Sequence, residues 1–505
     1  MNKSPKENKK SFTSRQWLVL ATVMIASFLG RLDGTIVNLA IPHIITDFAI
    51  TVSQAGWIST AYIIANAIFV PIFGKLGDLI GRKPLYLFGI IGFVLTSALA
   101  GLSFNLSSLI FFRVLQAITV SIDYPLALSI LAFEFRDMDK RARAMGIWSA
   151  IFAGAQIFGP ILGGPLIDNF SWRAVFYVNV PLGAIGTLMA WKFIREPVEK
   201  IKGVKNFDVL GSLLLGFSLG ILVLVLEQGQ DWGWISLKSL LSYMASLISL
   251  AVFILLEKNQ KEPVLDLKFF KIQTFTISII ASFFSFMGMV GSIFLIPIFV
   301  QNFLGYSVTK SGYVFIPMAI SILIAAQAGA KLSAKIPSRY VITAGMLWST
   351  LAMCLFIGID VSWTFWDIAE RLALFAFGLG LGLAPLTRAA TSTVPISEVG
   401  IASSVLALAR NLSGAFGIAI FATILTNNTA SSLNAIKQYS VINTLNPEMI
   451  KQAAYLISVK ATILAYSNVF KLSVAIMAVG ALVSLFIKED RKKENLAASA
   501  MRIGE

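Results

Sequence analysis

Fourteen apolar stretches recur along this 505-residue chain. Each is close to the ~20 residues a helix needs to cross the ~30 Å hydrocarbon layer of a membrane. They centre on 17–38, 54–73, 84–104, 107–131, 145–167, 174–193, 209–226, 238–256, 275–300, 311–330, 340–358, 367–386, 402–425 and 466–487. In lipid every backbone N–H and C=O must be satisfied within its own segment or barrel, so runs of this length predict helices. Composition agrees: 57% of residues are hydrophobic and 13% charged, against roughly 45–50% and 25% in soluble domains. Too few polar side chains remain to clothe a water-facing surface, which excludes a soluble enzyme and a disordered chain. The expected fold class is an all-α polytopic membrane protein with 14 transmembrane helices. An even number puts both termini on one side.

The net charge of +15, from 41 Lys and Arg against 26 Asp and Glu, would suggest a nucleic-acid partner in a soluble protein. Here the basic residues sort by loop. Lys3, Lys6, Lys9, Lys10 and Arg15 share a side with Lys75, Arg82 and Lys83, with Arg136, Lys140, Arg141 and Arg143, and with Lys488, Arg491, Lys492 and Lys493. Opposite loops hold few, such as Arg173, Lys238 and Lys310. The positive-inside rule makes the rich side cytoplasmic, with N and C termini inside. Nucleic acid is thereby excluded as a partner. One cysteine (Cys354) and one histidine (His43) exclude an internal disulfide and a His-cluster zinc site. No G-x-x-x-x-G-K-[ST] phosphate loop is present, so ATP-driven transport has no support. Residues 1–16 are polar and Lys-rich, and the apolar run after them is too long for a signal-peptide core, so it reads as a first spanning helix.

Charged interruptions at 194–208 and 257–273 divide the array. The expected domains are a cytoplasmic tail 1–16, a six-helix bundle 17–196, two linking helices 197–262, a second six-helix bundle 263–488 and a tail 489–505. GKLGDLIGRKPLYLFG at 74–89 and GAKLSAKIPSRYVITAG at 329–345 resemble each other faintly, as parallel repeats would. The segment 427–465 reads as one long external loop carrying a short surface helix.

Four stretches carry chemistry. The loop at 74–85 combines Gly74, Gly81 and an acid, Asp78, with Arg82 and Lys83, suited to a tight reversal and a gating contact. Helix 1 carries Arg31 and Asp33 before Thr35 and Asn38. A charged group in a spanning helix costs a few kcal/mol unless paired, hydrated or neutralised, so it marks function by default. Helix 4 adds Arg113, Gln116 and Asp123. An Asp alternately paired with Arg and exposed to substrate would change its proton occupancy. For Asp123 three roles stay open: a second protonation site, a cation contact, or the partner of Arg31 or Arg113. Helix 5 reads Gly154, Gly159, Pro160, Gly163 and Gly164, a small-residue stripe with a bend for close packing and pivoting. Trp57, Tyr62, Asn66, Tyr124 and Gln156, with Asn38, are candidate substrate contacts.

These strings resemble the fourteen-helix drug:proton antiporter branch of the major facilitator superfamily. The loop is similar to its G-x-L-x-D-x-x-G-R-K motif, with Leu79 where that motif carries Arg. Leu32 to Pro42 resembles its L-D-x-T-I-V-N-x-A-x-P signature, Arg113 with Gln116 its helix-4 R-x-x-Q, and 154–164 its antiporter motif. Trp172-Arg173 with Asn179, Gly378 to Gly382, and 400–417 resemble further parts of that branch. The resemblance implies a transporter, not an enzyme. It would be a proton-coupled efflux antiporter of hydrophobic, cationic or zwitterionic toxic compounds, working by alternating access in the plasma (inner) membrane. No cofactor is implied beyond the proton gradient. The implied partners are membrane lipid, protons and a small-molecule substrate, with a periplasmic adaptor where the host has two membranes; the expected unit is a monomer. Two alternatives stay open: a lipid or lipid-linked precursor flippase, to which Arg31 lends an acidic-headgroup preference, and a secondary uptake permease for a metabolite.

Overall fold

The structure, a computed structural model, describes residues 12–488 apart from 136, 196–207, 259, 261–266, 393, 395–398 and 440–445. The described residues form helices and no strands. The first group comprises α1 (Ser14–Phe48), α2 (Val52–Ile80), α3 (Arg82–Gly101), α4 (Leu106–Val120) running into α5 (Asp123–Glu134), α6 (Met138–Asn169), and α7 (Ala174–Tyr177) running into α8 (Asn179–Phe193). Next come α9 (Val209–Trp232) and α10 (Leu237–Glu257). The last group is α11 (Gln273–Asn302), α12 (Val308–Tyr313), α13 (Phe315–Lys335), α14 (Ser338–Cys354), α15 (Phe365–Thr391), α16 (Val399–Tyr439) and α17 (Pro447–Ser484). Ten of the described helical stretches are long and apolar enough to cross a membrane.

Capping chemistry sets where several of these rods begin. Thr13 with Gln16, Thr51 with Gln54, and Asn105 with Ser108 each form a reciprocal box that satisfies two otherwise orphaned backbone donors. Between α2 and α3 the chain reverses through Gly81 at φ 103°, a conformation that a side chain would strain.

Helices α1–α8 pack on one another to form the N-terminal half, and α11–α17 do the same for the C-terminal half. Helices α9 and α10 pair with each other, and α9 rests on α2 and α16. The two ends of the molecule differ. At the end away from the chain termini, one apolar cluster runs through both halves, from Ile36, Ile41, Ile44 and Phe176 to Phe294, Phe299, Val308 and Phe375. Toward the termini the core splits. One cluster, with Phe12, Tyr86, Phe135 and Trp148, belongs to the N-terminal half, and two, around Phe275 and Ile342, belong to the C-terminal half. Among the described residues the halves seal against each other at one end, and toward the termini their larger apolar clusters are separate.

The expectation of a long external loop at 427–465 is corrected. Helix α16 continues to Tyr439 and α17 starts at Pro447, so most of that segment is helix. Residues 428–439 contain no Gly or Pro to stop a helix, and the polar stretch simply carries α16 past the apolar layer. Asn446, whose side chain accepts the Glu448 N–H, and Pro447 then restart the chain in the way a helix N-terminus favours.

Candidate functional site

Asp33 sits mid-way along α1 and is fully buried. Its position in the middle of an apolar helix forces it to find partners on other helices, and it finds three. Arg113 of α4 donates from Nη1 to Oδ2 at 2.5 Å. Gln116 and Asn179 each donate from a side-chain amide to Oδ1 at 3.0 Å. Gln116 lies one helical turn from Arg113, so both side chains leave the same face of α4. It accepts from Arg113 at 2.6 Å and donates to the Ser97 hydroxyl at 2.7 Å. The Arg113 guanidinium lies 3.9 Å from the Tyr62 ring centre and 5.8 Å from that of Phe176. Arg113 is 1% exposed. A charge pair this dry has lost the hydration of both ions, so it persists only because hydrogen bonds surround it, and removing one partner is strongly unfavourable.

Asp123 anchors a second network closer to the termini. Ser27 donates to Oδ2 at 2.7 Å, Tyr86 donates to Oδ1 at 3.0 Å, and Trp148 donates to the Ser27 hydroxyl at 2.8 Å. Arg31 is half-buried, and Asp123 lies within its electrostatic reach. Of the three roles open for Asp123, pairing with Arg113 is excluded by geometry, because that guanidinium is committed to Asp33.

The other expected residues divide. Asn38 accepts from Ser59 at 3.1 Å and is half-buried, as are Trp57, Asn66 and Tyr124. Tyr62 is buried, with its ring beneath the Arg113 guanidinium. Tyr124 packs on Trp148 with ring centres 5.6 Å apart. Arg82 donates to the Ser129 carbonyl on α5 at 3.2 Å, and Lys83 to the Trp191 carbonyl at 2.7 Å. Gly74 and Asp78 fall within α2 and Gly154 and Gln156 within α6, but their surroundings and side chains lie outside what the structure describes. Ser27, Tyr86 and Ser97 were not expected. Hydroxyls are common on spanning helices, and nothing local distinguishes those that face a buried acid. Asn179 stood within one of the family-like strings without a role.

The glycine stripe of α6 lies at the sealed end. A Cβ built at Gly164 would lie 2.4 Å from the Thr309 Cα, and one at Gly312 would lie 2.2 Å from the Pro160 carbonyl oxygen. Helices α6 and α12 therefore meet backbone to backbone. Gly159 and Gly163 instead face α1, at Thr35 and Ile36. Asp168, at the end of α6, accepts the backbone N–H of Val308 at 3.1 Å and of Thr309 at 2.9 Å. Gln301 donates to the Leu39 carbonyl at 3.2 Å, and Ser53 lies 3.4 Å from Thr423. These contacts join the two halves. Replacing Asp168 with Ala should weaken the seal by about 1 kcal/mol, the usual scale for a lost helix cap. Spin labels at Asn169→Cys and Lys310→Cys would report this as a roughly fivefold larger parted population, and an unchanged distance distribution would contradict it.

The family model of the Major Facilitator Superfamily matches residues 23–418. The chain is 31% identical to the multidrug transporter protein MdtP of Bacillus subtilis (strain 168), over 98% of this chain and 99% of that one. It is 30% identical to the multidrug export protein EmrB of Escherichia coli (strain K12), over 87% and 85%. Among solved structures, a bacterial homologue of the human lysosomal transporter Spinster, in an inward-facing and occupied conformation, superposes with a TM-score of 0.69. It is 16% identical and covers 94% of this chain and 97% of that one, a likeness of fold alone.

Proposed function

The chain belongs to the major facilitator superfamily, and from that membership we propose that it is a proton-coupled efflux antiporter for hydrophobic toxic compounds. The observation that carries this reading is the buried Asp33–Arg113 pair with its amide partners. A guanidinium favours the charged form of a carboxyl and an apolar surrounding favours the neutral form, so a carboxyl whose guanidinium moves away changes its affinity for protons. Motion of α4 against α1 thereby links proton occupancy to conformation. That the relatives MdtP and EmrB are named for multidrug transport and export supports the outward direction.

In this reading fourteen helices cross the plasma (inner) membrane, arranged as six, two and six, with both termini in the cytoplasm. The sealed end is then external, and loading is from the cytoplasmic end. The proton gradient supplies the energy without a cofactor. Binding of substrate between the halves, closure around Arg31 and Tyr124, and separation of the Gly164–Thr309 contact complete the cycle. Where a second membrane exists, an adaptor protein would extend the path.

A second reading, export of lipid or a lipid-linked precursor by the same cycle, is favoured by one observation: Arg31, deep in α1, is only half-buried.

Everted vesicles loaded with this chain and energised to an acid interior provide the test. A panel of cationic, zwitterionic and acidic fluorescent compounds is added. Transported members should accumulate inside and collapse the pH difference as they do so. A protonophore should abolish accumulation at least about tenfold. Accumulation that survives the protonophore would refute proton coupling, and the absence of any accumulated compound would refute drug efflux.

A further inference from the structure

The two buried acids of the N-terminal half, Asp33 and Asp123, have partners of different chemistry. Asp33 Oδ2 meets the Arg113 guanidinium. A guanidinium carries N–H donors and no acceptor. A proton on that side of Asp33 therefore finds no lone pair to bond to until Arg113 withdraws. Asp123 meets a hydroxyl at each oxygen instead, Ser27 at 2.7 Å on Oδ2 and Tyr86 at 3.0 Å on Oδ1. A hydroxyl is both donor and acceptor. It serves an ionised acid by donating and a neutral acid by accepting.

The chain itself places Asp123 there. Pro125 has no N–H, and the helix is interrupted at Ser121 and Ile122, so Asp123 opens α5 rather than continuing α4. Helices α1, α2, α3, α4 and α6 pack around α5. Among the described residues, the titratable and charged groups within reach of Asp123 are Tyr86 from α3 and Arg31 from α1. From α6 comes Trp148, whose Nε1 donates to the Ser27 hydroxyl at 2.8 Å, and from α2 comes Gly77, against Leu126. Arg113 of α4 is committed to Asp33. A cavity of about 20 Å³ borders Asp123, Tyr86, Thr119, Leu29 and Phe93, room for a single water molecule. A hydronium proton arriving there binds Asp123 Oδ2, leaving water and a neutral carboxyl. The Ser27 oxygen has a second lone pair besides the one that Trp148 uses, and it accepts from the new O–H. Its own hydrogen turns to a carbonyl one turn back on α1, as helical serines do. No helix has to move.

We propose that Asp123 is a second proton-carrying group of the transport cycle, taking and releasing its proton while Asp33 keeps its pairing with Arg113. The assignment rests on the antiport reading above and sets its proton count at two, one at each acid. It also selects among the roles open for Asp123, since a residue that only held Arg31 would need no hydroxyl at both oxygens. The count has an electrical consequence. Two protons entering the cytoplasm against one singly charged cation leaving it carry one net positive charge inward, so the membrane potential drives export together with the pH difference.

The first test reads the proton directly, with no gradient and no substrate. Infrared difference spectra of the full chain in dodecyl maltoside, taken between alkaline and acid buffer, show the carboxyl C=O band of each acid that becomes neutral. Asp123→Asn should remove one component of that band, and the double variant Asp33→Asn/Arg113→Gln should keep it. Asp123→Glu should restore a component, which separates a lost proton site from a lost fold. Tyr86→Phe, with the acid intact, should move the midpoint of the component by about one pH unit, the scale of one hydrogen bond. A band unchanged in Asp123→Asn, or a component lost in the double variant instead, overturns the proposal. The second test uses everted vesicles and ethidium, a singly charged cation, at a fixed pH difference. An inside-positive potential of about 60 mV should raise ethidium accumulation about tenfold in the unaltered chain and leave Asp123→Asn unchanged. Proton-driven accumulation that ignores the potential in the unaltered chain overturns the count of two. An Asp123 band in a chain whose vesicles show no proton-driven uptake of any compound would refute the antiport reading alone.

Discussion

Asp33→Asn should reduce proton-driven efflux in everted vesicles about a hundredfold or more while leaving gradient-free substrate exchange measurable. The expectation follows from what the amide cannot do. It keeps the shape of Asp33 and can still accept from Gln116 or Asn179, but it carries no charge for Arg113 and takes up no proton. The guanidinium is then left nearly dry with only neutral partners, a change that costs about 3–5 kcal/mol in a buried pair. Because that cost falls on folding as well as on coupling, the double variant Asp33→Asn/Arg113→Gln is the companion measurement. With neither charge present the bundle should recover stability, since replacing both members of a buried pair by neutral groups is far cheaper than removing one. It should remain uncoupled. Retention of full proton-driven efflux by Asp33→Asn would end the assignment of the coupling site to this pair.

The second large effect is expected from Gly164→Leu. The atom that a Cβ would strike is the Thr309 Cα, with the Thr309 nitrogen at 2.8 Å, and backbone cannot swing aside as a side-chain tip can. The sealed end must part to admit the new side chain. Overpacking of this kind costs about 1–3 kcal/mol, which against a two-state seal shifts the parted population by about 5- to 150-fold. Distances between labels at Asn169→Cys and Lys310→Cys, in a chain whose Cys354 is replaced by Ser, should lengthen, and transport should fall with them. Gly163→Leu provides the contrast. Gly163 faces Ile36 of the same half, so its substitution should disturb α1–α6 packing without lengthening the α6–α12 distance. If both variants lengthened it equally, the seal would not be specific to the α6–α12 contact.

Much of the fold was legible along the chain because the membrane imposes a local rule. A helix that must satisfy its own backbone over ~30 Å announces itself by length and hydropathy alone. The rule failed where the membrane no longer applied. At 428–439 the side chains turn polar, yet α16 continues, since leaving the apolar layer does not unwind a helix that contains no Gly or Pro. The charged residues were equally visible. Asp33, Arg113 and Asp123 stand out because apolar surroundings make any charge conspicuous. Their hydroxyl and amide partners do not. Ser97 and Tyr86 look like dozens of other side chains until α3 is placed beside α1 and α4.

From sequence came the all-helical class, the family-like motifs and the few charges that lipid penalises, all of which depend on neighbours within a turn or two. Only the tertiary arrangement decided the pairings. Asp33 takes Arg113 rather than the nearer-in-sequence Arg31, because a side chain two residues away on a helix points off in another direction while one from a neighbouring helix points inward. It also decided which end is sealed. The same glycines of α6 that read as one stripe split their work, Gly159 and Gly163 against α1 and Gly164 against α12, according to a helix rotation that no local pattern specifies.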